Sequence, residues 1–164
     1  GPAPVPIPPE ATIYPVISAD EMKTALEREF QSCDICILAA AVSDFRPESA
    51  AAGKISREEN PQPVIRLTAN PDIAAALGAV KGGRFLTCFS LESGPDGQVR
   101  AFAKMARKRC DMIVVNHVDT SLEKESTEAT LLFSDGSRQP LPRLDKTSAA
   151  QRILESIADR LNPP

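Results

Sequence analysis

Residues 34–47 read D-I-C-I-L-A-A-A-V-S-D-F-R-P. The apolar run Ile35-Cys36-Ile37-Leu38 has the length and composition of a buried strand in a parallel sheet. It gives way to Ala39-Ala40-Ala41, and three small residues at the carboxyl end of a central strand leave room for a ligand to lie against the backbone. A carboxylate (Asp44), a ring (Phe45) and a stop (Arg46-Pro47) follow. Open α/β sheets bind ligands in the crevice beyond the carboxyl ends of their strands. The stretch therefore reads as a strand that delivers a small-residue floor and a polar group to a ligand. Alanines chosen for packing alone fit the same residues.

Working upstream, Gly1 to Pro9 is G-P-A-P-V-P-I-P-P, too rich in proline to join a sheet interior and expected to be extended and exposed. Ala11 to Ile17 reads as a short strand, kept to an edge by Pro15. Ser18-Ala-Asp-Glu21 is a capping box. It opens a helix over about Ala19 to Gln31 that buries Met22, Ala25, Leu26 and Phe30.

Downstream, residues 46–66 form a long flap. It carries Lys54 and Arg57 and closes on the strand Val64 to Leu67, and long excursions of this kind serve as lids or binding loops. Lys54 reads either as a lid cation for an anionic ligand or as a solvated surface lysine. Asn70-Pro71-Asp72-Ile73 starts a helix, with Asn70 as N-cap and Pro71 at the first helical position, running to about Val80. Arg84 to Ser90 is a buried strand that ends near Phe89, with Glu92 just beyond. A turn at Gly94 to Gly97 leads to a helix over Gln98 to Arg109. Val99, Phe102, Ala103 and Ala106 share one face of it, and Lys104 and Lys108, four apart, share another.

Asp111 to Asn116 is a further strand, and His117 to Thr127 a polar loop. Ala129 to Phe133 and Arg138 to Leu141 form a hairpin that turns at Asp135-Gly136. The last helix, about Ser148 to Leu161, carries the stripe Ala150, Ile153, Leu154, Ile157 and Leu161. Alternating strands and helices with a late hairpin predict a three-layer, Rossmann-like α/β fold with a mainly parallel sheet. Residues 1–164 are read as a single α/β domain, whole or truncated, with residues 1–10 as a Pro-rich segment and residues 46–66 as a cationic flap; nucleotide binding is one reading that the pattern leaves open.

Composition narrows the function. The 164 residues are 42% hydrophobic and 25% charged, with a net charge of -3, so no general basic footprint for nucleic acid exists. One Tyr and no Trp argue against a stacking platform for single strands. No apolar run has the length of a membrane span, and no signal peptide is visible. Four Cys in a chain of this length make no disulfide framework and point to a reducing compartment, the cytoplasm. Cys33 and Cys36 are spaced C-x-x-C, but residues three apart on an extended chain face opposite ways, which argues against a metal or redox pair. No glycine-rich phosphate loop and no Ser-His-Asp constellation stands out.

The order of these pieces resembles the phosphopantothenate-cysteine ligase family, the synthetase half of a bifunctional coenzyme A biosynthesis flavoprotein. Ala39 to Pro47 (A-A-A-V-S-D-F-R-P) is similar to that family's A-A-A-V-A-D-Y-R-P. Gly53-Lys54-Ile55 is similar to its flap, Asn70 to Ile73 to its N-P-D-I, and Cys88 to Ser93 to its G-F-A-L-E-T. Lys104, Lys108, Asp111 and Val115-Asn116 resemble its K-x-x-x-K-x-x-D-x-I-V-x-N, and Pro142 to Ala149 a late segment. The motifs run in order over about Gly1 to Leu161.

The resemblance implies a CTP-dependent ligase that joins 4'-phosphopantothenate to cysteine through an acyl-cytidylate. Leu38, Ala39 and Ala40 would present backbone to the nucleotide. Asp44 would serve the nucleotide and Mg²⁺. Lys54 would be catalytic, neutralising phosphate charge. Pro71, Asp72, Ile73 and Ala74 would offer a helix start, Phe89 would pack on the base, and Lys104 and Lys108 would complete the nucleotide site. It further implies a homodimer and a decarboxylase domain as a fused or separate partner.

The chain departs from the pattern at Ser56 (a second flap lysine in the family) and at Cys88 (a glycine). A first strand-loop-helix-strand unit, which carries an Asn in the family, is not seen here. The implied expectation is a fragment, a two-chain enzyme or a pared-down relative that binds CTP more readily than it turns over. The competing reading is a non-catalytic nucleotide-binding or assembly module. A nicotinamide-dependent oxidoreductase is disfavoured by the missing glycine fingerprint.

Overall fold

The apolar run at residues 35–38 does form a strand, but a strand with one neighbour. In the computed structural model, which describes residues 7–50, 53–58, 62–118 and 126–162, the chain begins with helix α1 (Ala19–Glu29) and a one-turn 3-10 helix (Phe30–Ser32). It continues through β1 (Ile35–Leu38), β2 (Phe45–Pro47), β3 (Leu67–Ala69), α2 (Ile73–Ala79), β4 (Phe85–Glu92) and α3 (Gly97–Lys108). It ends with β5 (Met112–His117), β6 (Ser126–Phe133), β7 (Arg138–Asp145) and α4 (Lys146–Leu161). Two compact units emerge, one of residues 27–40 and 73–164, the other of residues 1–26 and 41–72.

The larger unit holds a five-stranded sheet in the order β1-β4-β5-β6-β7. β1, β4 and β5 are parallel, and β6 and β7 return antiparallel. The register sets the faces. Phe85 and Phe89 point toward Met112, Val114, Ala129, Leu131, Phe133 and Leu141, which pack with Ile153 and Ile157 of α4. On the other face Ser90 and Glu92 meet α3. Helices thus cover both faces, giving the three layers and the Rossmann-like architecture. Each fully buried aliphatic side chain in this core contributes about 1.5–3 kcal/mol.

Several expectations are corrected. β1 is an edge of the described sheet, not a central strand. Ile35 and Ile37 keep 39% and 38% of their surface, and only Cys36 is buried. A run of four apolar residues reports strand propensity and says nothing of how many neighbours the strand has. Residues 11–17 form no strand: Pro15 lacks a backbone donor, and no strand among the described residues lies alongside them.

The α3 stripe sits on different residues from those expected, and the α4 stripe keeps only Ile153 and Ile157 of the expected five. α3 buries Gly97, Ala101 and Met105 and leaves Val99 exposed, because small residues let the helix lie close to the sheet. A Cβ on Gly97 would come within 2.9 Å of the Glu92 Cβ. α4 buries Ala149, Ile153, Ser156 and Ile157, while Leu154 and Leu161 stay exposed. Its start fixes this rotation. Asp145 caps it, accepting from the Thr147 and Ser148 amides at 3.0 and 2.9 Å, two residues earlier than the apolar pattern suggested.

The hairpin is as expected. Gly136 sits at φ 85°, the Phe133 amide donates to the Ser137 carbonyl, and Asp135 accepts from the Ser137 amide.

In the smaller unit, β2 and β3 form a two-stranded antiparallel ribbon. The capping box is present: the Glu21 amide donates to Ser18 Oγ at 3.1 Å, and the Glu21 carboxylate accepts from the Ile17 and Ser18 amides. Those bonds hold its pKa below the usual carboxylate range. The expected strand at residues 64–67 begins only at Leu67, and Val64 and Ile65 are exposed. Residues 1–6 of the proline-rich segment, 51–52 and 59–61 of the flap, and 119–125 of the polar loop lie outside the described residues.

Candidate functional site

The candidate residues fall in both units, and each set has its own construction. In the larger unit, β4 pairs with β1 so that Leu38 lies opposite Cys88. Ala39 and Ala40 follow that last pairing and are exposed, while Leu38 is half-buried. The small-residue floor is therefore open at the carboxyl ends of the parallel strands, where α/β sheets take their ligands.

The carboxyl end of β4 is the most elaborated polar locus. Alternation along the strand puts Ser90 and Glu92 on one face. Lys104 reaches that face from α3, its Nζ donating to Glu92 Oε1 at 2.6 Å and to Ser90 Oγ at 2.9 Å. Ser90 Oγ donates to Glu92 Oε1 at 2.7 Å. Arg100, one turn before Lys104, donates from Nε to Glu92 Oε2 at 2.9 Å and also bonds the Ser93 carbonyl.

Glu92 is 4% exposed. Its burial works against the charge, but the hydrogen bonds from Lys104, Ser90 and Arg100 overturn that effect and bring its pKa down to about 2. Lys108 stands one helical turn beyond Lys104, half-buried, where its positive charge acts on the Cys88 and Cys110 thiols.

Phe89 belongs to the opposite face. Its half-buried ring packs against the core under α4. Strand alternation thus separates Phe89 from Lys104, so only a ligand lying across the strand end could meet both. The four cysteines are free thiols. Cys36 is buried in β1, which pushes its pKa up to about 11, with a smaller contribution from Cys33. A hydrogen bond shared with Cys110, together with burial, raises the Cys88 pKa and keeps it protonated.

In the smaller unit, Asp44 and Lys54 are both exposed, and neither side chain has a polar partner among the described residues. Order around Asp44 comes from Asn70. The Asn70 amide donates to the Asp44 carbonyl at 2.8 Å, and Asn70 Nδ2 donates to the Ser43 carbonyl at 2.8 Å. Arg46 donates to Asn70 Oδ1 at 2.9 Å and to the Ala69 carbonyl at 3.0 Å, and it pairs with Asp20 at 3.2 Å.

This corrects the expected N-cap. The Asn70 side chain is spent on the loop before β2, and α2 starts at Ile73, leaving Pro71 and Asp72 outside it. Ile73 and Ala74 are buried, so only their backbone could face a ligand. Among the described residues no group of three or more His, Cys, Asp or Glu could hold a metal on its own, and no helix is long and apolar enough to cross a membrane.

Ser90, Glu92, Arg100 and Gly97 were not singled out from the sequence as site residues. The signal was present: Ser90 and Glu92 are two apart on a strand, and Arg100 and Lys104 are four apart on the following helix. Either pair alone is common, and only the chain reversal between them makes a cluster.

Known proteins are similar to this chain in sequence and fold. The bifunctional coenzyme A biosynthesis protein CoaBC of Mycobacterium tuberculosis is 35% identical over 153 residues, 87% of this chain and 37% of that protein. A cysteine/cysteine sulfinic acid decarboxylase from an unknown prokaryotic organism is 42% identical over 152 residues, 90% of this chain and 42% of its own length. The chain therefore spans about two fifths of the curated relatives it matches. The crystal structure of the C-terminal domain of a CoaBC protein superposes with a TM-score of 0.78 at 28% identity, covering 98% of this chain and 73% of that one. Residues 1–161 match the family described as the DNA/pantothenate metabolism flavoprotein C-terminal domain. The chain belongs to that family.

Proposed function

We propose that this chain is the ligase portion of a coenzyme A biosynthesis enzyme, joining 4'-phosphopantothenate to cysteine at the expense of CTP. The observation that carries the reading is the polar locus at the carboxyl end of β4, in a chain whose relatives are named for coenzyme A biosynthesis. In this reading the carboxylate of 4'-phosphopantothenate attacks the α-phosphate of CTP. Pyrophosphate leaves and an acyl-cytidylate forms. The cysteine amine then attacks the acyl carbon and displaces CMP.

The residues divide the work. Ala39 and Ala40 offer exposed backbone without side chains to obstruct a nucleotide, with Leu38 behind them. Lys104 and Lys108 supply positive charge to the phosphates from α3. Phe89 contributes the free part of its ring to the base, and residues 71–74 contribute backbone groups. Lys54 places an ammonium against the charge that grows on the phosphates as the acyl-phosphate bond forms. Charge placed where the transition state develops it is commonly the largest catalytic term.

Mg²⁺ fits Asp44. This ion is usually held by one or two carboxylates together with substrate phosphates, and Asp44 is an exposed carboxylate with no competing partner among the described residues. When bound, the ion would neutralise phosphate charge. The reading extends to a homodimer working in the cytoplasm beside a decarboxylase domain, in line with relatives named as bifunctional and as a decarboxylase.

Calorimetry with CTP and Mg²⁺, wild type against Lys104→Ala, tests the nucleotide site. Saturable binding that weakens about tenfold in the variant is expected, and a folded wild-type chain that binds no CTP overturns the proposal. Pyrophosphate release from CTP and 4'-phosphopantothenate then separates a ligase from a non-catalytic nucleotide-binding module.

A further inference from the structure

We infer that Glu92 is a positioning residue for the nucleotide site, acting through Lys104. The inference rests on the reading of Lys104 as a phosphate ligand and adds to it the residue that fixes the ammonium in place. A lysine side chain has four rotatable carbons and three N–H donors. An exposed lysine would have to be ordered by the ligand itself, at a cost in side-chain freedom that weakens binding.

Here two of the three donors are already committed, one to Glu92 Oε1 at 2.6 Å and one to Ser90 Oγ at 2.9 Å. One donor remains for an incoming phosphate oxygen. The other Glu92 oxygen is held by Arg100 at 2.9 Å, so the carboxylate cannot follow the lysine outward. Glu92 is 4% exposed, while Lys104 is 39% exposed. The anchor is inside the protein and its cargo reaches solvent.

The fold makes room for this anchor at a specific place. Gly97 opens α3 where a Cβ would stand 2.9 Å from the Glu92 Cβ. Two cations around one carboxylate leave one positive charge in excess, suited to an anionic ligand. A purely structural tie between β4 and α3 would need neither the surplus cation nor the spare donor.

A double-mutant cycle read by CTP–Mg²⁺ calorimetry tests this, with thermal melting as the control for folding. The variants are Glu92→Gln, Lys104→Ala and the pair. Glu92→Gln keeps the shape of the side chain and removes its charge. We expect about a tenfold loss of CTP affinity from Glu92→Gln in the wild-type background, and less than a twofold loss in the Lys104→Ala background.

Equal losses in both backgrounds would mean that Glu92 merely supports the fold, and would overturn the inference. So would tighter CTP binding in Glu92→Gln, which would make the carboxylate a competitor for the lysine. No loss from Glu92→Gln while Lys104→Ala does weaken binding would sink the inference alone. No loss from Lys104→Ala would sink the nucleotide-site reading beneath it. Should Glu92→Gln melt too low to assay, Ser90→Ala removes one tether without unbalancing a buried charge. A threefold loss that vanishes in the Lys104→Ala background is expected there, and a loss that persists overturns the inference.

Discussion

In the unit of residues 27–40 and 73–164, Lys104, Ser90, Glu92 and Arg100 restrain one another on a strand and a helix that are both anchored in the core, β4 through Leu86 and Cys88 and α3 through Ala101 and Met105. In the unit of residues 1–26 and 41–72, Asp44 and Lys54 are exposed, without side-chain partners among the described residues, and the hydrogen bonds of Asn70 and Arg46 hold the backbone around Asp44 rather than its carboxylate. The first unit carries groups that are already placed. The second carries exposed side chains that a ligand would have to gather, at up to about 2 kcal/mol of rotamer freedom for each one fixed. Placed groups suit ground-state binding. Gathered groups, whose ordering is offset only when the full charge develops, suit the chemical step.

The largest expected effect follows from that division. Lys54→Ala should lower turnover of CTP and 4'-phosphopantothenate by about 10²- to 10³-fold, the usual range for removing one group that stabilises a developing charge. CTP affinity and melting temperature should change little. Steady-state kinetics beside calorimetry would break the comparison if Lys54→Ala and Lys104→Ala both acted chiefly on affinity.

Next in size is a stability effect confined to the larger unit. The Gly78 position in α2 lies against the carboxyl end of α3, and a Cβ there would sit 1.9 Å from the Lys108 carbonyl oxygen. Backbone faces backbone, so no side chain can swing aside. Gly78→Ala should cost about 1–3 kcal/mol by overpacking, measured by urea unfolding. Because Lys108 is itself a candidate nucleotide residue, the same variant should also weaken CTP binding severalfold.

How much of this was legible in residues alone can be judged element by element. The strands β4 and β5, the turn at Gly136 and the Ser18-Glu21 capping box were read correctly, because each depends on local chemistry: an apolar run, a left-handed glycine, an N-cap. The edge position of β1, the face of α3, the flanks of the α4 stripe and the role of Asn70 were misread, because each depends on a partner distant in sequence. Asn70 illustrates this. Asn-Pro favours a helix cap locally, yet Ser43 and Arg46, 27 and 24 residues away, took the side chain instead. The Glu92 cluster was missed for the same reason. No spacing rule joins the end of a strand to the second turn of the next helix.

A pH effect of middle size probes the placed cluster directly. The folded pKa of Glu92, about 2, lies below its ordinary value of 4.5. Its contribution to stability is therefore complete above about pH 4.5 and is lost as pH falls toward 2. Unfolding free energies measured across that window should fall as pH drops, and Glu92→Gln should flatten the slope. An unchanged slope in Glu92→Gln would mean that the charge is not held as the geometry implies.

The smallest effect sharpens the comparison most directly, because it sets one glycine against another. Gly53 precedes Lys54, and a Cβ built on it meets nothing within 4 Å. Its φ is not in the left-handed region, so alanine fits the backbone. Gly53→Ala should leave stability within about 1 kcal/mol of wild type, with any change favourable and arising from the reduced freedom of the unfolded chain. Gly78→Ala, the same chemical change, should be clearly destabilising. If the two substitutions instead cost the same, Gly53 would be packed against something. The flap would then be a placed element like the strand end, and Lys54 would owe its effect to a fixed position and not to being gathered by the ligand.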